Sequence, residues 1–273
     1  MAPSADLHIH TYFSDSTSSP QEVVDDALKA GLSCIAITDH DSVEGVEPTV
    51  EAARPHALEV VPGIELSSEL ENCDIHILGY FIDHQKGPLF EKIDVFLDAR
   101  VDRMKQMIMN LKKVGVNNIE FEEVAALTHS RAVGRAHLAI LLQQKGWVPN
   151  FKAAFEKYIG PGCPGFAPKY KQTPFEAIDL INKSGGVAVM AHPMLTQKDE
   201  LIPRFKAAGL KGLEVYYPNC MSAVTEFYER IAKKNGLIAT GGSDAHGKAK
   251  SYTYVGKRTV PIEVVEQLRL AKE

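Results

Sequence analysis

The chain has 273 residues, 45% apolar and 24% charged, with a formal net charge of −5. Such a chain is not disordered, collagenous or coiled-coil, and its length suits one α/β barrel or one domain with a modest insertion. The longest apolar stretches, such as 138–142, fall far short of a membrane span. The start of the chain lacks the basic and apolar regions of a secretory signal. Cys34, Cys73, Cys163 and Cys220 form no C-x-x-C pair, so neither a disulfide framework nor a thiolate zinc site is expected. A reducing, cytoplasmic location is the expectation.

Residues 6–9 read as a short strand. Ser19-Pro20-Gln21-Glu22 then supplies an N-cap, a proline in the first turn and a glutamate able to close a capping box. Val23, Val24, Ala27 and Leu28 follow at helical spacing, and Gly31 ends the helix. A buried strand is predicted at 33–38, a helix at 45–54, and strands at 58–66 and 74–81 that can pair as a hairpin. From 88 to 158 the pattern is helical, clearest at 93–114 and 133–145. Thr173-Pro174-Phe175-Glu176 repeats the capping signature and opens a helix ending near Gly185-Gly186. Strands at 187–191, 213–216 and 237–240 alternate with helices at 199–208 and 221–235, and a last helix begins near Pro261.

Repeated strand–helix units predict an α/β fold with a parallel sheet and outer helices. About seven such units without a dinucleotide fingerprint favour a closed or distorted barrel. The helical stretch reads as an insertion, giving a barrel of 1–90 and 170–273 and a helical subdomain of 91–169 covering the active site. Charge draws nearly the same boundary: residues 100–172 hold 12 Lys/Arg and 5 Asp/Glu, whereas the rest hold 18 and 30. A basic insert can simply have a solvated basic face; in an acidic chain it also suits a polyanionic substrate.

Histidines and acids gather at predicted strand ends: His8 and His10 with Asp15; His40 after Asp39; Glu65; His76 on the next strand; His192 before Pro193; Asp244 and His246. In such barrels the loops at the carboxyl ends of the strands share one mouth. A single strand-end histidine is ordinarily a core residue. Six, each near an acid, would be costly to bury without cations. Nine such side chains provide three ligands for each of three divalent ions, and a bridging carboxylate adds to that. Nitrogen and oxygen donors without thiolate suit Mn, Fe, Zn or Co. Three ions against three carboxylates leave roughly +2 to +3, a charge that attracts a phosphate ester.

These motifs resemble the PHP (polymerase and histidinol phosphatase) family of metal-dependent phosphoesterases. The likeness rests on Asp6-Leu7-His8-Ile9-His10, Thr38-Asp39-His40, Gly63-Ile64-Glu65, His76, Ala191-His192-Pro193 and Gly242-Ser243-Asp244-Ala245-His246. It implies a distorted (β/α)7 barrel with a trinuclear centre. In that likeness, His8, His10, Glu65 and Asp244 hold one ion. Glu65 bridges to a second held by His76 and His192, and Asp15, His40 and His246 hold a third. Gly134-Arg135-Ala136-His137-Leu138-Ala139 resembles the Gly-Arg-Pro-His-Leu-Ala of a subgroup with a helical insert, with Ala136 in place of proline. That subgroup includes nucleoside 3′,5′-bisphosphate phosphatases and 5′-to-3′ exonucleases of short RNA.

The expected activity is hydrolysis of a nucleotide-like phosphate ester by a hydroxide bridging two ions, held by Glu65 with His8, His10, His76, His192 and Asp244. The substrate is then a 3′,5′-bisphosphate, cleaved to a nucleoside 5′-monophosphate and phosphate, or a short 5′-phosphorylated single strand. Arg135, Arg131, Arg100, Lys169 and His137 are candidate substrate contacts, because arginine forks match phosphate oxygens. For Arg131 and Arg135 the plainer reading is surface charge, and for His137 it is helix packing. Arg103 is a weaker candidate of the same kind, Asp39 and Asp41 are candidates to orient ligands, and Trp147 and Phe151 can stack on a base or pack the insert. The alternatives are a cyclic-phosphate phosphodiesterase, a sugar or histidinol phosphatase and, more distantly, an amidohydrolase-type C–N hydrolase. No helix or basic stripe suited to reading duplex DNA is evident.

Overall fold

The computed structural model describes residues 2–170, 172–250 and 252–272. Strand β1 (Ser4–Ile9) leads into helix α1 (Pro20–Lys29), started by the expected capping box. The Ser19 hydroxyl accepts from Glu22 N, while the Glu22 carboxylate accepts from Ser19 N at 2.8 Å. A cap of this kind stabilises a helix by about 1 kcal/mol. Val23, Val24 and Ala27 face the core, and Gly31 takes φ 70° beyond the helix end. Strand β2 (Cys34–Ile37), helix α2 (Val46–Ala53) and strand β3 (Glu59–Leu70) follow.

β3 turns directly into β4 (Cys73–Tyr80) through Glu71 and Asn72, at φ 52° and 60°. Two consecutive left-handed residues form the tight turn whose twist matches a hairpin. The predicted hairpin is therefore present, and its first strand runs on past residue 66 to Leu70. Helices α3 (Pro88–Lys113), α4 (Phe121–Ala125), α5 (Arg135–Gln144) and α6 (Phe151–Ala154) come next. Leu89, Ile93, Phe96 and Leu97 of α3 still pack in the barrel core, whereas its second half and the later helices gather a cluster of their own, which includes Met107, Leu111, Leu138 and Leu142.

The strand–helix rhythm resumes with α7 (Pro174–Lys183), β5 (Val187–Met190), α8 (Pro193–Thr196), α9 (Ile202–Ala207) and β6 (Gly212–Tyr216). It closes with α10 (Ser222–Asn235), β7 (Ile238–Gly241), β8 (Val260–Pro261) and α11 (Ile262–Ala271).

The sheet order is β7-β6-β5-β4-β3-β2-β1-β8. The strands β1, β2 and β3 are parallel, as are β5, β6 and β7. The predicted hairpin makes β4 antiparallel to β3, and β4 is antiparallel to β5 as well; the short β8, which the strand–helix rhythm did not announce, is antiparallel to β1. A two-residue turn cannot supply the crossover that parallel pairing requires. The sheet nearly closes where β7 leads back to β1: His10 N donates to Ala245 O at 3.0 Å. Gly242 permits that seam, because a β-carbon there would lie 2.3 Å from His8 N. The result is a distorted (β/α)7 barrel with a helical subdomain.

Both faces of the central strands are buried, which explains their unbroken apolar runs. On β2, Ile35 and Ile37 face a cluster shared with α1, α7 and α9, whereas Cys34 and Ala36 face one shared with Val264, Val265 and Leu268 of α11.

Candidate metal centre

Glu65 lies at the middle of the site. Its Oε1 is 2.8 Å from His76 Nδ1 and 3.0 Å from His192 Nε2. Its Oε2 is 3.2 Å from His8 Nε2, His10 Nε2 and His40 Nδ1. Asp244 Oδ1 lies 3.3 Å from His10 Nε2 and 3.6 Å from His8 Nε2. Asp15 Oδ1 lies 3.2 Å from His246 Nε2, and its Oδ2 is 4.0 Å from His40 Nε2. All nine side chains expected as ligands thus converge on one place.

The fold delivers them by different routes. His8 and His10, two apart on and just beyond β1, project together. His40, His192, Asp244 and His246 follow the ends of β2, β5 and β7. Glu65 and His76 lie inside the hairpin strands, where the antiparallel register sets His76 opposite Ser67. An antiparallel strand begins at the end where its neighbours finish, so His76 reaches the same rim. His192 and Asp244 sit at φ 27° and 46°, a strained backbone for non-glycine residues. His192 N donates to buried Glu214 Oε2 at 2.7 Å, which helps to hold that geometry.

Three overlapping groups are able to hold a cation: His10, Asp15, His40 and His246; His8, His10 and Glu65; and His40, Glu65 and His76. The overlaps at His10, His40 and Glu65 differ from the partition that the family likeness implies. Unpartnered donors test the fit. His10 Nδ1, Asp15 Oδ1, His40 Nδ1, His76 Nε2, His192 Nδ1 and His246 Nε2 are buried without a hydrogen-bond partner. Each such atom costs about 1–3 kcal/mol when unpaired. Six of them within one cluster of imidazoles and carboxylates fit divalent cations bound by nitrogen and oxygen.

Electrostatics agree. Burial opposes charge on His8, but Glu214, Glu65 and Asp244 outweigh it and push the imidazole well above its usual range. Against the same burial, Asp244 and Glu65 push His10 up to about 9. In His40, His76 and His246 burial wins and lowers the imidazole. Desolvation opposes charge on Glu65, Asp15 and Asp244 too, yet surrounding imidazoles, and Lys250 for Asp244, hold them well below the carboxylate range. The cluster is a demand for positive charge in a dry setting.

Sequence reading missed three supporting groups. Glu214 on β6 is fully buried, and its Oε1 lies 2.8 Å from His8 Nδ1, which leaves Nε2 to face the cluster. Its signal was a lone acid inside a buried strand. Tyr217 donates to Asp244 Oδ2 at 2.7 Å, and Lys250 Nζ lies 3.2 Å from the same oxygen. No spacing announced either one. Asp39 anchors the loop that bears Asp15, accepting from Thr11 N, Thr11 Oγ1 and Ser14 Oγ. Asp41 accepts from Ser67 N and from Arg100.

A cavity of about 240 Å³ opens between this cluster and the helical insertion. Asp15, His40 and His76 form one wall; Arg100, Arg103, Arg135 and Lys169 line another, with Phe96, Phe155 and Tyr170 beside them. Arg100 is braced by Asp41 at 2.6 Å, and Lys169 and Arg135 reach Asp74 at 3.1 and 3.6 Å. Arg103 Nη2 is buried without a partner, and burial, with Arg135 and Arg100 nearby, lowers its pKa to about 10.

Two expected substrate contacts fall outside the cavity. Arg131 is half exposed and pairs with Asp94 and Asp98 of α3. His137 is buried, and its Nδ1 accepts from Gly134 N at 3.0 Å, capping the start of α5. Phe151 lines the cavity, whereas Trp147 donates to Asn118 and packs on the insert.

A profile of the PHP domain family matches residues 6–159. The chain belongs to the PHP domain family. Among its relatives, a 3′,5′-nucleoside bisphosphate phosphatase of Chromobacterium violaceum is 30% identical, with 92% of this chain and 90% of that protein covered. A 5′-3′ exoribonuclease of Haemophilus influenzae is 32% identical, with 90% and 91% covered. A solved structure from C. violaceum, described as an amidohydrolase with bound sulfate and no metal, superposes with TM-score 0.87 at 29% identity. It covers 98% of this chain and 96% of that one. Family and cluster together make the chain a hydrolase of the metal-dependent phosphoesterase type. Among the described residues, no helix is long and apolar enough to cross a membrane.

Proposed function

We propose that the protein hydrolyses a nucleotide-like phosphate ester: a nucleoside 3′,5′-bisphosphate, yielding the 5′-monophosphate and phosphate, or a short 5′-phosphorylated single strand. The observation that carries this reading is one cavity with two unlike walls, a ligand cluster facing four cations and several aromatic rings. A substrate with a phosphate at each end of a sugar and an aromatic base matches both walls.

In this reading His8, His10, Glu65 and Asp244, then Glu65, His76 and His192, and then Asp15, His40 and His246 hold three divalent ions. When bound, such ions activate water near neutral pH and stabilise charge on phosphate oxygens. The remaining work belongs to the chain. Glu214 fixes the His8 ring, and Tyr217 and Lys250 fix Asp244. Arg100 and Arg135 grip the phosphate that does not react, with Lys169 as a point charge beside them. Arg100 is already braced by Asp41, so little side-chain freedom is lost on binding. Arg103 offers its unpartnered Nη2 to the same anion. Phe96, Phe155 and Tyr170 offer ring faces to the base. Segment 91–169 acts as the cover that brings these cations over the barrel.

The test incubates the Mn-loaded protein with adenosine 3′,5′-bisphosphate, a 5′-phosphorylated RNA trimer, a cyclic sugar phosphate and a panel of cyclic amides. Release of phosphate from the first, or of mononucleotides from the second, is expected. Turnover confined to the sugar phosphate or the amides would overturn the reading.

A further inference from the structure

The cluster is flanked by two cavities. The second, of about 520 Å³, touches His10 and runs outward between α1 and the segment after β7, lined there by Thr17, Ser18, Lys248 and Tyr254. That segment reads Lys248-Ala249-Lys250-Ser251-Tyr252-Thr253-Tyr254-Val255-Gly256-Lys257-Arg258, with no acid between His246 and Glu263. Its aromatic side chains stay in solvent: Tyr252 is 62% exposed and Tyr254 57%. Lys257 Nζ sits 5.3 Å from the centre of the Tyr254 ring. The segment also serves the first cavity, through Lys250. Its base is fixed: Thr253 Oγ1 donates to Asp244 O at 3.0 Å, and Gly256 N donates to buried Asp6 Oδ2 at 2.8 Å.

We infer that residues 247–250 and 252–258 form a binding surface for the nucleotides that lie beyond the scissile phosphate of a single-stranded oligonucleotide. The inference rests on the phosphoesterase reading and extends it. A mononucleotide held against the insertion fills the first cavity and has no use for a second. A chain whose reacting phosphate lies at the cluster has a way out through the second cavity, along this segment. Solvent-facing tyrosines interleaved with lysines provide stacking faces and backbone charge without reading sequence. The opposite wall carries Glu22, Asp25 and Asp26, the last paired with Lys29 at 2.9 Å. Repulsion from those carboxylates directs the phosphates of a bound strand towards Lys248 and Lys257.

The test measures kcat and KM of the Mn-loaded protein for adenosine 3′,5′-bisphosphate and for 5′-phosphorylated oligoadenylates of two to six nucleotides. It compares the native protein with the Tyr252→Ala/Tyr254→Ala and Lys248→Ala/Lys257→Ala variants. Anisotropy of a 3′-fluorescein oligoadenylate hexamer in EDTA, which stops turnover, gives a second readout. The expected result is a KM that falls about tenfold with length, the scale of one stacked base. The double tyrosine variant should lose most of that gain and bind the hexamer about tenfold more weakly, with its bisphosphate KM unchanged. The lysine variant should lose less, and chiefly at low salt. A length-independent KM, or variants that track the native protein at every length, would overturn the inference. Absence of turnover on every phosphate ester would instead count against the phosphoesterase reading, and hexamer binding in EDTA would then decide the surface by itself.

Discussion

The barrel wall and the insertion wall of the cavity hold their charges in different ways. On the barrel side the charged groups crowd around the buried Glu65 and are each held by a further contact: His192 N by Glu214, Asp15 by the loop that Asp39 anchors, Asp244 by Tyr217. On the insertion side Arg100, Arg135 and Lys169 hold to single carboxylates, and the last two share the exposed Asp74. Buried charges must be fully compensated, so the first wall tolerates little change. Part-exposed pairs contribute modestly and are free to exchange partners with a ligand. The difference predicts that chemistry resides in the barrel wall and selectivity in the insertion wall.

The contrast breaks most sharply at Glu65. Glu65→Gln should lower both metal content and hydrolysis by more than the roughly 10–100-fold typical of losing an outer partner of a ligand. Elemental analysis alongside a phosphate-release assay checks it, and full metal content with native rates would oppose the assignment. Glu214→Gln comes next, with a loss of about 10–100-fold in metal affinity or rate and an unchanged circular dichroism spectrum. A Mn titration of the variant reads this directly.

Arg135→Ala belongs to the other wall and should leave metal content intact. A charge-assisted hydrogen bond contributes about 1.5–3 kcal/mol, so kcat/KM should fall about 10–100-fold, mostly through KM. Arg131→Ala, whose partners are Asp94 and Asp98, should leave the kinetics as they were. Equal effects of the two substitutions would erase the distinction drawn from the cavity.

The smallest effect lies away from both walls. Thr173→Ala removes the cap of α7 and should cost about 1 kcal/mol in thermal or urea unfolding, without kinetic consequence. The Thr173 backbone N–H and hydroxyl donate to Glu176 and hold its carboxyl below the usual glutamate range. A carboxyl lowered in the folded state stabilises above its unfolded value, and that contribution disappears as pH falls through the folded value. The gap between Thr173→Ala and the native protein should therefore narrow in acid.

What the sequence revealed follows the same division. The capping boxes at Ser19 and Thr173 were legible because a cap is a local bargain among four residues. The nine convergent side chains were legible because strand ends share a rim, whichever residues lie between them. The β3–β4 hairpin was legible from two adjacent strand-like runs, but the antiparallel pairing of β8 with β1 was not, since β8 is only two residues long and carries no strand pattern. Nor was the pairing of Arg131 with α3, because Asp94 and Asp98 lie more than thirty positions away and face it only after folding. Lys250 and Tyr217 meet at Asp244 from two separate loops, a meeting that no spacing encodes.

The most direct measurement is anomalous diffraction from a Mn-soaked crystal of the native protein. More than one peak within coordination distance of Glu65, with His8, His10, His40, His76 and His192 arranged around them, is the predicted result. Peaks elsewhere, or a Glu65 that contacts none of the bound ions, would contradict the account.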